Sequence, residues 1–318
     1  YTKALNGGSD FNTLNLLDGA SVTMGYAGYT EGRNLLLHPT DEDDPTAVDT
    51  TKNADAKNNT VNIRGGTLDV GGKLYGGYIA TNAALTPPNN VSAGNASGNT
   101  INIESGTFGG SNEIYGGYTN GTGKTTGNTV NLGTATTAFA AGTSVGTIFG
   151  GNKSTVTDNT LNVNSRNASA ADIKNFENVN FDVAHNVSHG DTMLTLTNGA
   201  NTSIDWSKMQ LKNLDAITAS PTSDHILTLL DSANDINFTH YDAERARQTK
   251  KDGDYEYVLN TDSETATAKK VDVTGYRFAN NHTAIATNAN EAWGGRSKVG
   301  NTVEKNSLDI TGGNITTA

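Results

Sequence analysis

The pentad Gly142-Thr143-Ser144-Val145-Gly146 has the Gly-x-Ser-x-Gly spacing that presents a nucleophilic serine when it sits on a strand-to-helix elbow. It lies where another stretch reads Gly109-Gly110-Ser111-Asn112-Glu113 ahead of an aromatic-glycine block, so a turn within a repeat is expected. His185 and His189 are four apart, a spacing that brings two metal ligands together only on a helix. Their Asn- and Gly-rich surroundings predict a loop with solvated imidazoles. The acidic runs Asp41-Glu42-Asp43-Asp44 and Asp252-Gly253-Asp254 offer oxygen ligands for calcium. Neither follows the order of a calcium loop, and exposed charged loops are expected. No phosphate-cradling loop or dinucleotide fingerprint occurs. The expectation is therefore no catalytic, cofactor or metal site, and a chain that is not an enzyme.

Two other residue types recur with a spacing that matters. An Asn-Thr-apolar-Asn-apolar block appears as Asn12-Thr13-Leu14-Asn15-Leu16, Asn59-Thr60-Val61-Asn62-Ile63, Asn99-Thr100-Ile101-Asn102-Ile103, Asn128-Thr129-Val130-Asn131-Leu132 and Asn159-Thr160-Leu161-Asn162-Val163. A degenerate copy is Asn306-Ser307-Leu308-Asp309-Ile310. Most copies are followed by an aromatic-glycine block: Tyr26-Ala27-Gly28-Tyr29, Tyr75-Gly76-Gly77-Tyr78, Tyr115-Gly116-Gly117-Tyr118, Phe149-Gly150-Gly151-Asn152 and Trp293-Gly294-Gly295-Arg296. The asparagines could hold a sugar or a metal, and the tyrosines could form a strip that binds sugar or protein. Regular recurrence favours packing in both cases: an amide ladder beside a turn, and aromatics stacked along corners where glycine permits positive φ.

The elements that must position these blocks follow from their period. Val61 and Ile63 alternate with Thr60 and Asn62, so one face is apolar and the other polar, as in a strand. The core from Asn59 to Tyr78 is short, whereas the stretch from Thr81 to Gly98, with Pro87-Pro88, reads as a loop. A constant core with insertions at one place predicts a solenoid of short strands and glycine turns, each pairing in parallel with its counterpart about 4.8 Å away. Parallel crossovers are right-handed by default. The expected fold is all-β, a right-handed parallel β-helix (β-solenoid) with variable side loops. Leu14, Val61, Ile101, Val130 and Leu161 should then form one apolar row, and Leu16, Ile63, Ile103, Leu132 and Val163 a second.

Composition agrees with that fold and narrows the partners. Hydrophobic residues make up 34% and charged residues 17%, with 36 glycines, so the polar mass is uncharged and suits turns and short strands. A net charge of −11 would repel a phosphate backbone, and nucleic-acid binding is not expected. No stretch is apolar enough to insert in a membrane as a helix. The chain has 0 cysteines, which removes disulfides and thiol chemistry.

Regular repeats are expected over 1–164, degenerate coils with loop insertions over 165–290, and a resumed repeat with an open end over 291–318. A small separate β-domain is the alternative for the middle. Tyr1-Thr2 resembles the tail of an aromatic-glycine block, and Asn314 to Ala318 the start of an unfinished unit. No secretory signal opens the sequence. A processed segment of a longer array is expected, or a subunit that stacks head to tail.

The blocks Asn59 to Ile63 and Tyr75 to Tyr78 are similar to repeats in large autotransporter passengers, the exported part of type V secreted proteins of Gram-negative bacteria. So are Ile173 to Phe181, Gly190 to Leu196 and Ala292 to Ser297, while residues between about 231 and 270 match little. The resemblance is to the adhesin- and haemagglutinin-like repeat region of such passengers. It implies a right-handed β-helix on the extracellular or outer-membrane surface, serving adhesion, aggregation, biofilm or fibre formation. The implied partners are further copies of the chain or adjoining repeats, and surface glycans or proteins. A carbohydrate-active β-helix enzyme, a polysaccharide lyase or hydrolase, is the alternative. It would need several carboxylates converging on one groove, and the outward positions of the repeats are mostly Thr and Asn.

Overall fold

The computed structural model describes residues 3–5, 8–32, 35–36, 48–49, 55–81, 94–134, 136–139, 143–153, 157–183, 186–213, 225–242, 249–251, 255–277, 283–286, 289–291, 293–296, 303–313 and 315–317. The chain is nearly all β, with mostly parallel strands in a curled sheet. Among the described residues the one helical element is the single 3-10 turn Trp206–Lys208.

The Asn-Thr blocks are the spine. Strands Thr13–Leu17, Thr60–Thr81, Thr100–Phe108, Thr129–Leu132, Thr160–Val163, Asn178–Asp182 and Met209–Lys212 lie side by side, all parallel. Their register puts Leu14, Val61, Ile101, Val130, Leu161, Val179 and Met209 in one row. Leu16, Ile63, Ile103, Leu132, Val163, Phe181 and Leu211 form the second. Both expected rows are present, and each runs two rungs further than the repeat motif. From Val61 to Met209 the first row is almost entirely excluded from solvent.

Coil length varies around that constant row. Equivalent asparagines are 47, 40, 29 and 31 residues apart, and the interval from Asn162 to Asn180 is only 18. Of the expected side loop from Thr81 to Gly98, residues 82–93 lie outside the described residues, whereas Ala96–Ser97 is a strand paired in parallel with Ala56–Lys57 and belongs to the stack.

The aromatic-glycine blocks supply the next face. Leu74, Ile114, Ile148 and Ile173 stand in register and are buried, with Tyr75, Tyr115 and Phe149 beside them on the opposite side of the strand. The glycines of these blocks are not at positive φ, contrary to the expectation from sequence. They are required by close approach. A Cβ on Gly77 would lie 2.5 Å from Asn99 Nδ2 and 2.8 Å from the Ala56 carbonyl, and one on Gly117 would lie 2.7 Å from Asn128 Nδ2. Each glycine pair makes room for the asparagine that opens the next coil, so the two sequence blocks are halves of one packing unit. The same contact recurs near the C-terminus, where a Cβ on Gly295 would lie 2.6 Å from Asn306 Nδ2.

Positive φ falls one residue before each ladder asparagine instead. Phe11, Asn58, Gly98, Gly127, Asp158 and Lys305 have φ of 57°, 56°, 65°, 65°, 62° and 54°. This left-handed corner turns the chain so that the following asparagine points inward.

That asparagine row is fully bonded. Asn12 Nδ2 donates to Asn59 Oδ1 at 2.9 Å, Asn59 to Asn99 at 2.9 Å, Asn99 to Asn128 at 3.0 Å and Asn128 to Asn159 at 3.1 Å. Each acceptor oxygen also takes the backbone N–H of the donor residue, at 2.9 to 3.1 Å. The second amide proton goes to a carbonyl at the corner: Asn59 to Ser9, Asn99 to Ala56, Asn128 to Ala96 and Asn159 to Thr125. Asn59, Asn99, Asn128 and Asn159 are 0% exposed, so this saturation is what makes their burial tolerable.

A second, outward asparagine row runs with opposite polarity. Asn62 donates to Asn15, Asn102 to Asn62, Asn131 to Asn102, Asn162 to Asn131 and Asn180 to Asn162, at 2.7 to 2.9 Å.

Beyond residue 165 the repeat motif is lost, but parallel pairing continues. Ala168–Ala170, Thr192–Leu196 and His225–Thr239 pair in parallel, with Ala168, Leu194 and Leu230 in register. The strands Thr267–Arg277, Tyr255–Thr261 and Thr249–Lys251 then add in antiparallel fashion as a meander. Near the C-terminus Thr283–Ala286 pairs in parallel with Ser307–Ile310, and Ala289–Glu291 with Ile315–Thr317.

Two substitutions separate the buried amide row from the outer one. Asn99→Ala strips the acceptor from two Asn59 donors and a donor from Ala56, and should cost about 3 kcal/mol in denaturant unfolding, whereas Asn102→Ala should cost less than about 1 kcal/mol. Equal costs would mean that the buried row is not what holds the corner. Gly77→Ala should destabilise more than Gly71→Ala. At Gly71 a Cβ meets open space and only φ of 73° opposes it, which is worth about 1 kcal/mol.

Candidate functional site

The aromatic face is the first place to look for a ligand. Tyr26, Tyr75, Tyr115 and Phe149 stack with centroids 5.1, 5.3 and 4.4 Å apart and planes within 10°. Tyr29, Tyr78 and Tyr118 form a second column at 5.4 and 5.1 Å. Edge contacts join the columns, as between Tyr75 and Tyr78 at 4.8 Å and 73°. Each pair contributes about 0.5–1.5 kcal/mol beyond its burial. Sugar stacking needs an open ring face. Both faces of Tyr75, Tyr78 and Tyr115 are already covered by neighbouring rings, so these rings offer only edges and hydroxyls.

Two of those hydroxyls are engaged too. Tyr115 donates to Glu113 at 3.0 Å, and Tyr78 accepts from Asn120 Nδ2 at 3.1 Å. Burial pushes the Tyr75 phenol well above its ordinary range, and the neighbouring Tyr78 and Tyr26 add to the shift. Burial does the same at Tyr115, where the hydrogen bond to Glu113 and its charge reinforce it. Burial also raises Tyr78, against the bond from Asn120.

The carboxylates near these columns are committed to neighbours. Glu113 and Asp172 share a row two rungs apart, with Thr147 between them. At about 4.8 Å per rung the backbones lie about 9.6 Å apart, close to what an inverting glycosidase requires. Glu113, however, bridges to Lys73 at 2.5 Å. Asp172 has a side chain 2% exposed, beside Lys174 at 3.6 Å and bonded by Thr202. The Ser21 and Thr23 hydroxyls hold Asp69 below the usual carboxylate range. At Asp205 burial opposes the shift, but the Ser207 bonds and His240 outweigh it and lower the pKa.

The motif residues singled out from sequence are not brought together. Gly146 turns at φ 81° straight into the strand Thr147–Gly151, so the serine pentad has no helix after it; Gly142 lies outside the described residues. Ser144 Oγ is buried without a hydrogen-bond partner among the described residues. His189 is exposed, while His185 and the acidic runs 41–44 and 252–254 lie outside the described residues. Among the described residues no group of three His, Cys, Asp or Glu is placed to hold a metal.

One concavity was not foreseen. A cleft of about 590 Å³ opens between the turn 121–126 and residues Lys153 and Thr157 of the next coil. Nothing in the motif pattern marks it, because it is built from the variable residues that follow an aromatic-glycine block. No protein-family profile, curated protein or solved structure matches this chain.

The phenols set an alkaline limit. Tyr75 and Tyr115 have folded pKa values above the unfolded value of about 10, so their contribution is complete below about pH 10 and is lost as pH rises through the folded values. Unfolding midpoints should therefore be level from neutral pH to about pH 10 and fall above it, with tyrosinate absorbance of the two residues appearing together with unfolding. Ionisation of both in a chain that stays folded would contradict this.

Proposed function

We propose that this chain is a segment of an extracellular adhesive rod on a Gram-negative bacterial surface, of the autotransporter-passenger type, whose coils close into a right-handed β-helix. The observation that carries the reading is the unbroken register from Leu14 to Met209, seven rungs of like residues on like. Such a stack grows along one axis and presents side loops at intervals, which suits display and contact. Carboxylates locked in ion pairs and hydroxyl bonds support binding over bond cleavage. Adjoining repeats or further copies are the proposed structural partners, and surface glycans or proteins the proposed ligands.

The test combines shape, adhesion and turnover. Purified protein should scatter X-rays as an elongated particle and bind cells or glycan-coated beads saturably. It should release no new reducing ends from a panel of polysaccharides. Turnover in that panel would replace the adhesive reading with the lyase or hydrolase one, and a compact particle would remove the rod.

A further inference from the structure

We propose that the cleft at Gly121–Thr126, Lys153 and Thr157 is a binding site for an anionic saccharide, its carboxylate or sulfate held between the ammonium groups of Lys124 and Lys153. The proposal rests on the adhesive reading and names the ligand class for it.

Charge is the first ground. In a chain of net charge −11, seven of the described cations are neutralised at short range: Lys57 by Asp55, Arg64 by Glu104, Lys73 by Glu113, Arg166 by Asp191, Lys174 by Asp172, Lys208 by Glu177 and Lys270 by Asp231. Lys124 and Lys153, like Lys212, Lys269 and Lys305, pair with no carboxylate among the described residues, but these two line one cleft whose described lining has no acidic side chain. Two lysines lining one concavity raise its positive potential and favour an anion there.

The lining chemistry is the second ground. Beside the lysines stand Thr122, Thr126 and Thr157, with the backbone of Gly121 and Gly123. Hydroxyls and peptide groups match the donors and acceptors of a pyranose ring. Among the described residues the lining has no aromatic on which a nucleobase could stack. Its volume of about 590 Å³ falls within the range of about 300–1,000 Å³ usual for small-ligand sites.

Preorganisation is the third. Asn152 clamps the turn by accepting from Thr119 N at 3.0 Å and donating to the Thr119 carbonyl at 2.9 Å. Gly121 N donates to Thr119 Oγ1 at 3.1 Å, and Lys153 Nζ donates to the Gly121 carbonyl at 2.8 Å, which fixes that ammonium at the mouth. The far side is tied to the stack: Lys124 carbonyl accepts from Ala96, Thr126 carbonyl from Gly98 and Thr157 carbonyl from Gly127. The groups that would touch a ligand are thus held by the same rungs that build the rod.

Calorimetric titration of the protein with four probes tests this: oligogalacturonate, a heparin tetrasaccharide, maltotetraose and an Asp/Glu-rich peptide. At least one anionic saccharide should bind saturably and more weakly as salt rises, and maltotetraose should not. Preference for oligogalacturonate or for heparin tells whether carboxylate or sulfate is the anchor. The double variant Lys124→Met/Lys153→Met should lose about tenfold or more in affinity while keeping the parent's far-UV circular dichroism, whereas Lys73→Met should bind as the parent does. Binding unchanged in the double variant, tighter binding of the peptide, or no binding of either anionic saccharide overturns the site. Adhesion to cells without saccharide binding overturns the site alone, and saccharide binding without adhesion overturns the adhesive reading alone.

Discussion

The structure depends on the burial of an amide. An asparagine side chain has two donors and an acceptor with two lone pairs, and leaving any of them unpaired inside a protein costs on the order of 1–3 kcal/mol. At Asn59, Asn99 and Asn128 every one of these valences is filled, by the asparagine below, the asparagine above and a corner carbonyl. A single such residue could not be satisfied this way. The row works because it is a row, so the requirement for register propagates from coil to coil.

Much else follows from seating that amide. The left-handed residue before it aims the side chain inward, and the missing Cβ atoms of Gly77 and Gly117 leave it space. Those glycines in turn sit between aromatics, which the register brings over their counterparts in adjacent repeats, so Tyr75 stacks on Tyr26 and Tyr115. Amide row, glycine pair and ring columns are therefore not independent stabilising features. They are successive consequences of one spacing.

This explains which parts of the fold could be read in advance. Val61 and Ile63 announced their face by alternation, and the repeat fixed who stands on whom. The extension through Val179-Asn180-Phe181 and Met209-Gln210-Leu211 was visible only as apolar-amide-apolar triplets, because the Asn-Thr opening that marks other copies is gone. The role of the glycines was misjudged: composition identifies a glycine, but only the packed coil tells close approach from positive φ. The antiparallel meander over 249–277 has no repeat to reveal it. The cleft at Lys124 and Lys153 was illegible for a deeper reason. Its residues come from two insertions of unequal length, and periodicity carries no information about residues that leave the period.

The two asparagine rows point in opposite senses along the axis, the buried one donating toward the C-terminal coils and the outer one toward the N-terminal coils. Each amide carries a dipole comparable to that of a peptide unit, about 3.5 D. Had both rows pointed one way, these moments would add with every coil, as they do along an α-helix, and the ends would gather opposing partial charges. Arranged head against tail, they cancel locally. The stack can lengthen by whole coils without building an axial field from its side chains.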